Sequence, residues 1–369
     1  MGYDIEHNLF HLADELGPEL IVHISDIKTG LKAILVVDNT AAGPAMGGIR
    51  MSPEVTTVEV ARLARSMTMK NAMARLPHGG GKSGIIADPA LPDKEALIRA
   101  FARKIRHIIE YIPGPDMGIS ETEMAYIRDE IGRAVGLPRV LGGIPLDEIG
   151  STGFGVAISA EVAAEFADLD LKGARLTVEG FGAVGKHAAR FLEEKGVVLI
   201  AASDSKGTIY NPDGLDVKEL ISVKEATGSL LNYKDGEKLL TTDLFNISTD
   251  ILVPAARPDV ITESNADVLD AKLIIEGANI PTTLEAENQL YERGVVCVPD
   301  FVANAGGVIT AFVEYHNGTE KQAFKQIEAT IRSNTREMLE LSRKEGITPR
   351  NAAESIARHR IYEAMTYRK

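Results

Sequence analysis

Residues 176–204 limit what this chain can fold into more than any other stretch. Leu176-Thr-Val-Glu179 reads as a strand running into Gly180-Phe181-Gly182-Ala183-Val184-Gly185; a helix follows over Lys186–Lys195, then a second strand ending at Asp204. In such a turn the first glycine makes the tight bend, the second lets a pyrophosphate approach, and the third lets helix and strand pack closely. The helix N-terminus then offers free N–H groups and partial positive charge to phosphates. A bare GxGxxG pattern fits a simple packing turn equally well, but the full strand–turn–helix–strand frame selects dinucleotide binding. Asp204 stands where a carboxylate meets a ribose 2′-hydroxyl. A carboxylate repels a 2′-phosphate, so NAD is the expected cofactor. Ser205 and Lys206 follow directly and offer an alternative phosphate site, which keeps NADP open.

The frame belongs to a longer alternation. From Gly153 onward, strands are expected at 175–179, 197–203, 250–253, 273–276 and 295–298 with helices between them, the signature of a parallel sheet with crossover helices. After Asp300 the chain reads as helical over 302–315, 322–345 and 350–367. The N-terminal part differs. A short amphipathic helix is expected over residues 5–16, strands at 20–27 and 31–38, and a glycine-rich loop at Gly43–Arg50. A helix capped by Thr56 or Thr57 runs to about Leu76, and another is capped by Asp93. A further helix starts near Ser120, where Ser120 and Glu123 form a capping box. At 369 residues the chain exceeds the roughly 250–300 at which single cores stop growing. The glycine- and proline-rich interval 136–150 reads as the junction between two domains.

The net charge of −13 argues against nucleic acid or an anionic membrane as partner, both of which need a basic face. One cysteine, Cys297, excludes an intrachain disulfide and fits a reducing, cytoplasmic setting. The N-terminus shows no secretory pattern, and Glu6 stands where myristoylation needs Ser or Thr. No metal-ligand spacing stands out.

A second glycine cluster, Gly79-Gly-Gly-Lys82, hands the chain to a lysine. Glycines allow close backbone approach, and a desolvated lysine can serve as a base. Lys70, near the end of the helix before it, and Asp116, in a Pro-Asp-Met-Gly turn, are the other candidates for handling protons. Singly, each is as well explained as a solvated helix end or turn carboxylate.

The set as a whole resembles the Glu/Leu/Phe/Val amino-acid dehydrogenase family. Gly43-Pro-x-x-Gly47-Gly48-x-Arg50, Lys70-Asn-Ala, Gly79-Gly-Gly-Lys82, Gly114-Pro-Asp116-Met-Gly118 and Ser151-Thr152-Gly-Phe-Gly155 appear in the family's order. The Gly180 fingerprint, Val253-Pro-Ala255-Ala256, Glu276-Gly-Ala-Asn279 and Pro299-Asp-Phe-Val-Ala-Asn304-Ala-Gly-Gly307 continue it. The resemblance implies an α/β fold: an N-terminal α/β substrate and oligomerisation domain (1–140, completed by helices at about 320–369) and a Rossmann-like doubly wound domain (141–319), with a cleft between them. It implies reversible NAD(P)-dependent oxidative deamination of an L-amino acid to a 2-oxo acid and ammonia, by a homo-oligomer such as a hexamer or octamer.

Carried over residue by residue, Lys70 binds the substrate α-carboxylate with the Gly47-Gly48 loop, Lys82 activates the attacking water, and Asp116 exchanges protons with the substrate nitrogen. Asn279 and Asn304 contact nicotinamide and substrate. Thr152, Ser205, Ala255 and Ala256 join the fingerprint as cofactor contacts, and Gly114, Val308 and Ala311 line the substrate site. A hydroxy-acid dehydrogenase would need a histidine–carboxylate pair instead. A catalytically idle, regulatory member would be expected to lack Lys82 or Asp116.

The substrate side chain is where the sequence departs from the glutamate-specific pattern. Glutamate enzymes of the family generally carry lysine at the position of Met46, glutamine at that of Met67 and serine at that of Ala311. A γ-carboxylate buried there without partners costs several kcal/mol, whereas an apolar side chain gains roughly 1.5–3 kcal/mol. Leucine, valine, isoleucine or phenylalanine is therefore the expected substrate class, with glutamate as the alternative. Arg50 and His78 keep that alternative open, and much of the scaffold looks like the glutamate branch.

Overall fold

The computed structural model describes residues 9–368. They divide into two compact units, residues 9–145 with 311–320 and 357–368, and residues 146–310 with 321–356.

The first unit is built on a five-stranded sheet. In chain order come β1 (Leu20–Asp26), β2 (Leu31–Asn39), β3 (Ala45–Met51), α1 (Thr57–Met73), β4 (Gly80–Ile85), α2 (Glu95–Lys104), β5 (Tyr111–Pro115) and α3 (Glu121–Ile131). The spatial order is β1-β2-β4-β3-β5. β1, β2 and β4 pair antiparallel, and β3 lies parallel to both β4 and β5. Side chains alternate across a strand, and β2 shows the result. Ala33, Leu35 and Val37 join Phe101, Ile105, Tyr111 and Met124 in one core, whereas Ile34 and Val36 meet Val60 and Ala64 of α1 in another. Two covered faces explain why β2 reads as an unbroken apolar run.

Several expectations change here. Gly43–Arg50 is no loop, because from Ala45 onward it is the inner strand β3. Glycine is what permits it: a β-carbon on Gly47 would sit 1.7 Å from the Gly81 carbonyl oxygen. The Gly79-Gly-Gly-Lys run is likewise mostly strand, and Gly114 lies in β5. Thr56 caps α1 and the Ser120–Glu123 capping box forms. Asp93 does not cap α2, whose cap residue is Lys94, with no side-chain hydrogen bond. Of the helix expected at 5–16, Ile5 lies outside the described residues, and Leu9–Leu12 form a single 3-10 turn.

The second unit follows with α4 (Leu146–Ile149), α5 (Ser151–Phe166), β6 (Arg175–Glu179), α6 (Ala183–Glu193), β7 (Val198–Asp204), β8 (Gly207–Tyr210), α7 (Val217–Thr227), β9 (Glu237–Leu239), β10 (Ile251–Pro254), β11 (Leu273–Ile275), α8 (Leu284–Glu292), β12 (Val296–Val298) and α9 (Asp300–Ala303). Next come α10 (Gly306–Tyr315), whose last residues fall in the first unit, α11 (Glu320–Glu345) and α12 (Pro349–Thr366). The seven-stranded sheet runs β12-β11-β10-β6-β7-β8-β9. Its first five strands are parallel, as expected, but β8 and β9 add an antiparallel edge. That edge escaped the sequence because both strands are short and lie between turn-rich segments. The helix expected over 302–315 is two helices, interrupted at Asn304-Ala305. No helix among the described residues is long and apolar enough to cross a membrane.

Candidate active site

In the first unit, three neighbouring strands bring together residues that are far apart in sequence. Lys82 lies in β4, opposite Val36 of β2, and its side chain is 8% exposed. Asp116 follows β5 directly, and Arg50 lies in β3 between the two strands. Lys82 Nζ is 2.7 Å from Asp116 Oδ2; Arg50 Nε donates to the same oxygen at 3.2 Å, and its Nη1 donates to Glu59 Oε1 at 2.7 Å. Burial pushes the Asp116 carboxyl up, but Lys82 and then Arg50 more than offset this and hold it below the usual carboxylate range. Gly48 leaves the space for this cluster. A β-carbon there would lie 2.8 Å from Asp116 Cβ and 3.3 Å from Lys82 Nζ.

Lys70 occupies the last turn of α1, where a cation also complements the helix dipole. Arg360 secures that end by donating to the carbonyls of Ala72 and Met73. Met46, 2% exposed, packs with Ile112 and Val135 and, at their edge, with Ala311 and Tyr315. Met67 reaches within 3.4 Å of where Gly47 would carry a β-carbon. His78 is buried against the rings of Phe312 and Tyr315. Its Nδ1 faces the Pro44 carbonyl at 2.9 Å, and a carbonyl only accepts, so Nδ1 carries the proton. Nε2 is buried with no partner, and burial lowers the imidazole's pKa.

In the second unit, Gly180 takes φ +88°, and a β-carbon on it would strike Ala256 at 2.6 Å. Phe181 is buried, and its N–H donates to the Ser203 carbonyl at 2.7 Å. Gly182 starts α6 with no side-chain cap, so the N–H groups of Ala183, Val184 and Gly185 meet no capping side chain; the space above Gly182 is open. Such a helix start fits a dinucleotide pyrophosphate.

Asp204 ends β7, and Ser205-Lys206 form the exposed turn into β8. The Asp204 carboxylate accepts from Lys224 Nζ at 2.5 Å, Lys206 N at 2.8 Å and Leu230 N at 2.9 Å. Ala255 and Ala256 hang from Glu179, by backbone and by carboxylate. Thr152 lies in the first turn of α5, near Gly307, and Val308 lies in the part of α10 belonging to this unit.

Asn304, at the break between α9 and α10, donates from Nδ2 to Gly277 O, Ala278 O and Asn279 Oδ1 at 3.0–3.2 Å. Three acceptors around one end fix the amide's orientation. Asn304 Oδ1 is thereby left buried without a partner. An unsatisfied buried acceptor costs about 1–3 kcal/mol, and a carboxamide N–H group would relieve it. These residues fit a nicotinamide dinucleotide. Sequence reasoning missed Lys224, Glu59 and the placing of Arg50; only the i, i+9 spacing of Arg50 and Glu59 across one turn hints at their pairing.

A glycine-fingerprint sheet, and a lysine–aspartate pair built on a second sheet, define an NAD(P)-dependent dehydrogenase. The comparisons place it more narrowly. Residues 142–369 match the Glutamate/Leucine/Phenylalanine/Valine dehydrogenase model, and residues 18–133 match that of the Glu/Leu/Phe/Val dehydrogenase dimerisation domain. The chain belongs to this family and is an amino-acid dehydrogenase, whose relatives include NAD-specific and NADP-specific enzymes. It is 41% identical over 355 residues to a glutamate dehydrogenase of Aeropyrum pernix, covering 89% of this chain and 85% of that one. Among solved structures it is similar to hetero-hexameric glutamate dehydrogenase from Thermus thermophilus, in a Leu-bound form, at 31% identity and TM-score 0.85, covering 95% and 90% of the two chains. It is also similar to L-tryptophan dehydrogenase from Nostoc punctiforme, at 28% identity and TM-score 0.76, covering 97% and 99%.

Proposed function

We propose that the chain deaminates an apolar L-amino acid oxidatively, giving the 2-oxo acid, ammonium and NAD(P)H, and runs the reverse amination. Lys70 and the Gly47-Gly48 backbone hold the substrate α-carboxylate. Asp116 takes a proton from the substrate ammonium. Asn279 and Asn304 would hold a nicotinamide, which would supply the hydride acceptor for the oxidation at Cα. Lys82 then activates the water that adds to the resulting imine, and Asp116 returns a proton to the departing ammonia. Lys82 Nζ and Asp116 Oδ2, 2.7 Å apart, are close enough to pass a proton directly between them.

The observation that carries the apolar reading is the setting of Met46, 2% exposed among Ile112, Val135, Ala311 and Tyr315. The relatives weigh the other way. Glutamate dehydrogenases predominate among them, which favours glutamate as the second reading and makes the substrate the first thing to measure. His78 does not help a γ-carboxylate, since its neutral Nε2 presents a lone pair.

For the cofactor, Asp204 supports NAD, while its pairing with Lys224 blunts the charge that would reject a 2′-phosphate. We therefore infer that NAD is preferred and NADP tolerated. Assembly as a homo-oligomer is supported by the dimerisation-domain match and by the edge strand β1, with Leu20 exposed in it and Ile27 exposed in the turn that follows. We infer a cytoplasmic location from the family alone.

The test is NADH and NADPH formation with a panel of L-amino acids, and ammonium dependence of 2-oxo acid reduction. Leucine, valine or phenylalanine should turn over faster than glutamate. Faster turnover of glutamate would establish the second reading. Reduction without ammonium would overturn both.

A further inference from the structure

The most deeply buried ionic cluster of the second unit lies outside the residues assigned to chemistry. Arg350, in the first turn of α12, is 7% exposed and is surrounded by three carboxyl groups. Its Nε is 2.7 and 2.8 Å from the two oxygens of Glu287, Nη2 is 2.9 Å from Glu276 Oε2, and Nη1 is 3.3 Å from Asp300 Oδ1. One guanidinium against three carboxyls is an unbalanced buried charge, and burial raises the Glu276 carboxyl well above its usual range. Burial raises the Glu287 carboxyl as well, and Glu276 Oε1 is buried with no hydrogen-bond partner. A stability role alone does not explain such a cluster, because buried ion pairs seldom outperform apolar packing.

Two of the carboxyl groups continue into the loops that carry Asn279 and Asn304. Glu276 follows β11 directly, and its Oε2 also accepts from Asp300 N at 2.9 Å, so it ties the end of β11 to the start of α9. Asp300 Oδ2 accepts from Ile280 N at 3.0 Å. Ile280 has φ +49°, a region that a β-branched residue adopts only when its surroundings impose it. The Asp300 carboxylate is what holds it, immediately after Asn279. Asn304 then closes the loop from the other side through its bonds to Gly277, Ala278 and Asn279. In open α/β sheets, ligands bind beyond the carboxyl ends of the strands, and these are the ends of β11 and β12.

We propose that Arg350 is a positioning residue that holds the Glu276–Ile280 loop and the Asp300–Asn304 turn in the one arrangement that presents Asn279 and Asn304 to the nicotinamide carboxamide. The proposal rests on the dehydrogenase reading of those two asparagines. Arg350 itself touches no substrate. Planarity matters as much as charge: the guanidinium meets three partners in different directions, and a lysine ammonium, a point charge, cannot reproduce the fork.

The experiment compares NADH with ADP-ribose, which shares the adenosine and pyrophosphate but lacks nicotinamide. Binding of both is measured by calorimetry for the unaltered full chain, Arg350→Met and Arg350→Lys. Misplacing a positioned group by about 1 Å can cost on the order of 100-fold. The expected result is a loss of NADH affinity of about tenfold or more, with ADP-ribose affinity within about twofold of the unaltered chain. Arg350→Lys keeps the buried charge and carries the test if Arg350→Met does not fold. An unchanged affinity ratio in a folded variant overturns the inference, as does an equal loss for both ligands, the mark of a purely structural role. Equal affinity of the unaltered chain for NADH and ADP-ribose would overturn the assignment of Asn279 and Asn304, and the inference with it.

Discussion

Lys82 Nζ, on β4, and Asp116 Oδ2, just past β5, lie 2.7 Å apart across the intervening β3 of one sheet, 34 residues apart in sequence. A lysine bound this closely donates its proton toward the carboxylate, so in the proposed mechanism water activation and proton exchange at nitrogen belong to a pair. Asp116→Asn keeps the shape and removes the charge. It should lower kcat by about 10²–10⁴-fold, the span of general acid–base catalysis. NADH binding, which rests on the second unit, should stay unchanged. Turnover within threefold of the unaltered enzyme would remove Asp116 from the chemistry.

Arg50 shares that oxygen, which gives a pH prediction with a definite sign. Lys82 and Arg50 depress the Asp116 pKa against the effect of burial. In Arg50→Met the carboxyl must titrate at higher pH, so the acid limb of the kcat/KM profile should move upward. The stability contribution runs the same way. For a carboxyl depressed on folding, stabilisation is fully present above the unfolded value of about 3.9 and is lost as pH falls through the folded value. The gap in Tm between the unaltered chain and Arg50→Met should be wide at neutral pH and close below about pH 4. An acid limb that does not move would show that Asp116 is not the group titrating.

Met46 offers the sharpest test of substrate class. In the apolar reading, Met46→Lys places a cation among Ile112, Val135 and Ala311, where an anionic side chain can pair with it and an aliphatic one meets a desolvated charge. The ratio of kcat/KM for glutamate over leucine should rise by at least about tenfold, the equivalent of roughly 1.4 kcal/mol. No change in the ratio would move the substrate side chain away from Met46. The unaltered enzyme turning over glutamate fastest would place its γ-carboxylate partner elsewhere in the site.

The legible parts were those where local pattern and global fold agree. β6 over Arg175–Glu179 and the Ser120–Glu123 capping box stand as read, and of the two threonines offered as the cap of α1 it is Thr56 that serves. β3 was illegible because Gly47 and Gly48 look like loop residues, and only the closeness of β4 and β5 requires them in a strand. Glycine there marks close approach, not flexibility. Family motifs made Lys82, Asp116, Asn279 and Asn304 visible. For Glu59 the only hint is its i, i+9 spacing from Arg50. Arg350 belongs to no such motif, and its place in the chain says nothing of the three carboxyl groups it meets. Lys224 is the same case, since a helix lysine looks solvated until it is seen against Asp204.

Gly182 separates a binding role from a folding role most cleanly. Gly180 has positive φ and crowds Ala256, and a β-carbon on Gly185 would strike the Gly180 carbonyl at 2.1 Å, so alanine at either position perturbs the fold itself. Gly182 is different. Its φ is −91°, and an added β-carbon meets nothing within 4 Å. Gly182→Ala should therefore fold with an unchanged or slightly higher Tm, since alanine restricts the unfolded chain by about 0.4–1 kcal/mol. The open space is where a pyrophosphate would approach the uncapped N-terminus of α6, so affinity for NADH and for ADP-ribose should fall together, by about tenfold or more. A variant that keeps both its Tm and its affinity for ADP-ribose would mean that the pyrophosphate does not pass over Gly182.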